Sequence, residues 1–151
     1  MQASSSRGAP PAGGRASTRP STQESGSFAV SDEHPYSPAR AVAGFVFVSG
    51  ALSVDPSGRP AEEGLPSLEA AMERLEERLS TVGAKLGDVV RTTYFVTDLA
   101  LRDRANQHYR EVFGEPRPAR SFVEVKSLPY GASVEIEAIA YIGEGSGQNS
   151  A

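Results

Sequence analysis

The order in which hydrophobic periodicity changes along this chain limits its fold more than any other feature. "FVFVSG" (residues 45–50) and "VVRTTYFV" (89–96) are compact runs of β-branched and aromatic residues, which read as strands. Between them Leu68, Ala71, Met72, Leu75, Leu79 and Val82 recur at three- and four-residue spacing. Glu69, Glu73, Arg74, Glu76, Glu77 and Arg78 fill the remaining positions, so the segment reads as an amphipathic helix with a solvated charged face. Ser67 is its expected N-cap and Gly83 its stop. Ala105, Tyr109, Val112 and Phe113 mark a second helix over 101–114, closed by Gly114. After the proline-rich "EPRPA", "RSFVEV" and "SVEIEAIAYI" return to strand patterning. "SFAVSD" near Ser27 supplies a short early strand, and "DPSGRP" (55–60) is turn chemistry.

The resulting order is β-β-α-β-α-β-β. Its β-α-β-α-β centre favours parallel crossovers with both helices on one face of a single sheet. The other face is then bare. In "VEIEAIAYI", Val134, Ile136, Ala138 and Ala140 point one way while Glu135, Glu137, Ile139 and Tyr141 point the other. A face of that mixture is too apolar for water and too polar for a core, which predicts contact with further copies of the chain.

Length and composition agree with one folded domain and exclude several classes of chemistry. The chain has 151 residues, 38% hydrophobic and 23% charged, with no run of about eighteen apolar residues of the kind that spans a membrane. A formal charge of −4 argues against nucleic acid as the main partner. There is no cysteine, hence no disulfide, thiolate metal site or cysteine nucleophile, in keeping with a cytoplasmic protein. The two histidines, His34 and His108, cannot build a three-histidine metal centre. Residues 1–26 lack Val, Ile, Leu, Phe, Tyr and Trp, and read as a disordered extension. Without large apolar residues they form neither the amphipathic helix of a transit peptide nor a secretory signal. Residues 27–142 form the domain, and 143–151 a flexible tail.

Two charges stand out in the last two strands. Arg120 lies in one half-buried run and Glu135 in the next, on what read as neighbouring strands. They are either an ion pair across the sheet or two working groups of a small polar site. Arg120 and Glu124 share a strand face and are a further possible pair.

The motifs "HPYSPARAVAGFVFVSGALSVDPSG", "LGDVVRTTYFVTDL", "ANQHYREVFG" and "RPARSFVEVKSLPYGASVEIEAIAYI" occur in that order. Together they resemble the Rid/YjgF family of reactive-intermediate imine and enamine deaminases, over about residues 28–142. The last motif is the most specific, with its Pro-Ala-Arg-Ser step, Leu-Pro turn and Glu-Ile-Glu. The resemblance implies an α+β fold of the chorismate-mutase-like (bacillus) type: a mixed sheet with two helices on one face. It also implies a homotrimeric barrel with clefts between subunits. The implied activity is hydrolysis of 2-imino and 2-enamino acids to 2-keto acids and ammonia, a reaction on C=N that needs no cofactor and no metal. By resemblance Arg120 binds the substrate carboxylate and Glu135 orients or activates water, while Tyr36, Ser49, Gly50 and Asn106 line the cleft.

This chain departs from the family pattern at His34, Pro38, Ala51 and Phe122. Phe122 shares Arg120's strand face and is expected in the same cleft, either reducing its volume or giving an aromatic wall to an unusual substrate. Two other readings therefore stand beside deamination of small imino acids. One is a specialised enzyme acting on a larger imine or enamine. The other is a ligand-binding trimer without turnover. A ribonuclease role is the least favoured, given the acidic balance and the lack of a histidine pair.

Overall fold

The computed structural model describes residues 34–143. The expected early strand "SFAVSD", the extension 1–26 and all but Gly143 of the tail lie outside the described residues. Five strands form one sheet: β1 (Ala39–Val42), β2 (Phe45–Leu52), β3 (Val89–Val96), β4 (Ala119–Glu124) and β5 (Val134–Tyr141). The two helices are α1 (Leu65–Ser80) and α2 (Arg102–Val112). The strand order is β1-β2-β5-β3-β4. Only β3 and β4 pair in parallel; β1–β2, β2–β5 and β5–β3 are antiparallel. Since β5 runs antiparallel to both its neighbours, β2 and β3 run the same way, and both helical crossovers connect parallel strands as the periodicity predicts. The chain is thus α+β with a mixed sheet.

Both helices cover one face. From α1, Leu68, Ala71, Met72, Leu75 and Leu79 are buried, and from α2, Ala105 and Tyr109. They pack on Val46, Val48, Ala51, Tyr94, Val96, Val134, Ile136, Ala138 and Ala140 of the sheet. The opposite face has no covering layer among the described residues. Phe45, Phe47, Val123 and Tyr141 are 44%, 48%, 41% and 49% exposed there. Fully burying side chains of this size is worth about 1.5–3 kcal/mol each.

Three local details differ from expectation. β1 was not foreseen, because "ARAV" is a four-residue edge strand whose existence depends on the turn after it. Ala43 and Gly44 both have positive φ (50° and 81°), the geometry that folds β1 back on β2 through a two-residue hairpin. α1 starts two residues before Ser67, behind Gly64, and Ser67 lies buried inside it with its hydroxyl donating to the Gly64 carbonyl at 2.8 Å. The helix also ends at Ser80, before Val82, and Gly83 (φ 76°) turns the chain away. A 3₁₀ turn, Leu99–Leu101, precedes α2, with the Asp98 carboxylate accepting from the Ala100 N–H at 2.8 Å.

Candidate functional site

Two polar clusters occupy opposite edges of the sheet. Neither contains all the residues singled out from the sequence.

The first lies at the β2 edge. β1 pairs with β2 only as far as Ala39–Val48, so the rest of β2 has no strand beyond it. There the ladder to β5 slips, since Val48 faces Ala138 but Ala51 faces Ile136. Three steps along β2 oppose two along β5, which is a β-bulge at Ser49–Gly50. The bulge has a use. A Cβ on Gly50 would run into the Glu135 carboxylate, so the missing side chain lets Glu135 reach across β2 from β5. Its carboxylate enters a cavity of about 840 Å³, lined also by Tyr36, Ser49, Gly50, Arg78 and Tyr130.

Burial raises the Glu135 pKa, and the neighbouring Glu137 carboxylate raises it further, while Arg78 opposes both. Burial in turn depresses Arg78, opposed by the Tyr36 hydroxyl beside it. Tyr36 is held by stacking on His34, with ring centroids 5.1 Å apart and planes at 19°. The departure at His34 thus has a local role. Ser49 lines the cavity, but its hydroxyl donates to the Ser37 carbonyl at 2.7 Å and its N–H to Pro38 at 3.0 Å. It acts as a strand-end staple.

The second cluster lies at the β4 edge and surrounds Arg120. Its Nη2 donates to the Asn106 side-chain oxygen on α2. The guanidinium carbon lies 4.9 Å from the Tyr109 ring centroid, 5.0 Å from that of Phe122 and 5.4 Å from that of Tyr94. Phe122 stacks on Tyr94 at 5.5 Å and 25°. Tyr109 is itself fixed, donating to the Pro118 carbonyl at 3.1 Å and bonded to the Thr92 hydroxyl at 3.0 Å. Burial lowers the Arg120 pKa, an effect that Tyr94 and Tyr109 oppose. Arg120 Nη1 and the Tyr94 hydroxyl are buried without a hydrogen-bond partner among the described residues.

These positions correct two readings of the charges. β3 separates β4 from β5, so Arg120 and Glu135 are not on neighbouring strands. Arg120 pairs in register with Thr92 on the helix-covered face, whereas Glu135 alternates with the buried Val134 and Ile136 and belongs to the open face. No ion pair joins them. Nor does Arg120 pair with Glu124, whose carboxylate accepts from the Leu99 N–H at 3.1 Å. The structure gathers Tyr36, Ser49, Gly50 and Glu135 at one edge and Asn106, Arg120 and Phe122 at the other. Among the described residues no three His, Asp or Glu side chains converge to hold a metal ion.

Sequence reasoning placed Arg74 and Arg78 on a solvated helix face. Both line the cavity instead. The signal was available: Ser67, Ala71, Arg74 and Arg78 form a single row along α1, and the first two are fully buried. Tyr130 was also missed. It occupies the left-handed region (φ 60°, ψ 18°) at the rim of the cavity, a conformation that propensity does not anticipate for tyrosine.

The chain is similar to several known proteins over its folded part. Residues 27–142 match the Endoribonuclease L-PSP family. A RutC family protein of Pyrococcus abyssi is 39% identical over 109 residues, 71% of this chain and 86% of that protein. The 2-iminobutanoate/2-iminopropanoate deaminase of Salmonella typhimurium is 38% identical over 110 residues, covering 70% of this chain and 86% of the enzyme. Among solved structures, RidA from an Antarctic Psychrobacter superposes with a TM-score of 0.66 at 36% identity, covering 73% of this chain and 90% of that one. The YjgF gene product of E. coli gives 0.67 at 32% identity, with 74% and 91% covered. The match to the family over nearly the whole described chain, with relatives above 30% identity along most of their length, makes this protein a member of the Rid/YjgF family.

Proposed function

We propose that the chain hydrolyses reactive 2-imino and 2-enamino acids to 2-keto acids and ammonia, in sites completed between copies of a homotrimer. One observation carries this reading: a caged arginine at the β4 edge and a half-buried carboxylate in a cavity at the β2 edge are two half-sites that no single copy can close. Head-to-tail contact of the two edges brings the Arg120 cluster of one copy to the Glu135 cavity of the next, and a ring of such contacts closes on itself. The open sheet faces, with Phe45, Phe47 and Tyr141 exposed, then have one another to pack against, as in a chorismate-mutase-like barrel.

The chemistry needs little more. A guanidinium binds the substrate carboxylate in a fixed plane, and Arg120 has Nη1 without a partner for that purpose. Asn106 acts as a positioning residue by holding Nη2. Glu135, its pKa raised, takes a proton from water as the oxygen attacks the electrophilic iminium carbon. Glu135 returns that proton to the nitrogen, and the C–N bond breaks to release ammonia. As the adduct collapses to C=O, its hydroxyl proton passes to Glu135 and then to solvent. No redox step occurs. Tyr36 and Gly50 shape the water side and Phe122 the carboxylate side.

The test is hydrolysis of 2-iminopropanoate or 2-iminobutanoate, generated in situ, with complementation between variants. Arg120→Ala and Glu135→Gln should each be nearly inactive alone. Co-expressed in equal amounts, they should recover about a quarter of wild-type activity, because about three-quarters of random rings are mixed and each mixed ring has one intact junction in three. Recovery of no activity, with mixed trimers demonstrated by mass spectrometry, refutes the shared site. Failure of the wild-type protein to accelerate keto-acid formation refutes the activity on these substrates.

A further inference from the structure

Beyond the influence of Arg78 on the Glu135 carboxylate, the α1 wall of the cavity has no part in the chemistry above. Arg74 and Arg78 both face the cavity, one helical turn apart, and both are half-buried. Among the described residues neither forms an ion pair, and Arg74 donates only to the Val54 carbonyl, at 3.4 Å. Arg78 shares the Glu135 carboxylate and the Tyr36 hydroxyl, but Arg74 faces no carboxylate among the described residues and repels Arg78. Two part-desolvated guanidiniums thus have at most one anion between them, a costly arrangement that a ligand anion would relieve. Asp55, also at the cavity, is already engaged: one oxygen accepts from the Ser57 N–H, the Ser57 hydroxyl and the Arg59 N–H. The remaining acids, Glu135 and Glu137, belong to the β5 wall. One wall of the cavity is therefore cationic and the other anionic.

We propose that Arg74 and Arg78 form a second anion site, and that the preferred substrates are 2-imino dicarboxylates, whose distal carboxylate this pair receives. The proposal rests on the imine-hydrolase reading for its substrate class, but the anion site itself does not. Arg78 lies by Tyr36 and Glu135, near the reacting carbon, and Arg74 lies about 6 Å away along the helix axis. A short carbon chain spans that distance. The planar fork of each guanidinium matches a carboxylate, so lysine should replace it poorly. Tyr130, its ring packed by Gly58, forms the aromatic rim on the far side.

The experiment compares 2-iminoglutarate, made in situ from glutamate by an oxidase, with 2-iminopropanoate made likewise from alanine, using the full chain. Wild-type kcat/KM should favour the dicarboxylate by about tenfold or more. In Arg78→Gln the ratio of the two should fall about tenfold, mainly through KM, with Arg78→Lys intermediate and Arg74→Gln weaker. A wild-type preference for 2-iminopropanoate, or a ratio unmoved in folded variants, overturns the proposal. If neither imine is hydrolysed, the imine-hydrolase reading fails, and the anion site is read by calorimetric titration with the keto acids. Tighter binding of 2-oxoglutarate than of pyruvate, lost in Arg78→Gln, then sustains the site. Equal affinities overturn it.

Discussion

The two edges of this sheet hold their key charges by different physics. At the β4 edge Arg120 is gripped by three aromatic rings and an amide drawn from β3, α2 and β4, so its position is set by packing. At the β2 edge Glu135 is placed by an absence, the missing side chain of Gly50, and its protonation is set by burial, Glu137 and Arg78. Packing suits a group that must bind in a fixed plane. Charge balance suits a group whose readiness to exchange a proton is to be tuned.

Removing the caged cation should have the largest effect. Arg120→Ala should lower kcat/KM by about 10²–10³-fold with the fold intact by circular dichroism, and Arg120→Lys should recover little of it. Near-normal activity in Arg120→Ala would make the cage merely structural. At the other edge, Gly50→Ala should displace the Glu135 carboxylate and cost about 10²-fold, as much as Glu135→Gln. The double variant Gly50→Ala/Glu135→Gln should be no worse than either single change, and additive losses would separate the two residues.

A smaller effect concerns pH. Burial and Glu137 disfavour the charged form of Glu135, so kcat/KM should fall on the acid side at a pH above the ordinary carboxylate range. Arg78 favours the charged form. Arg78→Gln should therefore move that limb to still higher pH, and an unmoved limb would assign it to another group. The smallest effect is on stability. Phe122→Ala removes a partly buried ring together with its stack on Tyr94 and should cost about 2 kcal/mol in denaturant unfolding.

What the sequence made legible follows the same division. The strand and helix order from β2 onward, the buried alternation of β5 and the sharing of one face by Arg120 and Phe122 are all periodic facts, and the structure agrees with each. The strand neighbours were not legible. β5, last in the chain, inserts between β2 and β3, and no local pattern announces an insertion made at such long range. Arg120 and Glu135 looked adjacent for that reason. β1 escaped notice because two positive-φ residues, not its own composition, create it. Arg74 and Arg78 were mistaken for solvent-facing charges because a helix wheel shows which residues border the core, but not whether a cavity lies beyond the border.

The placement of half-sites on opposite edges has a kinetic consequence. On the split-site reading a lone copy has no complete site, so catalysis and assembly are one equilibrium. Specific activity should then fall on dilution, faster than the loss of folded protein, and recover when substrate or keto acid bridges the edges again. The substrate would act as a cross-linker of the enzyme that consumes it.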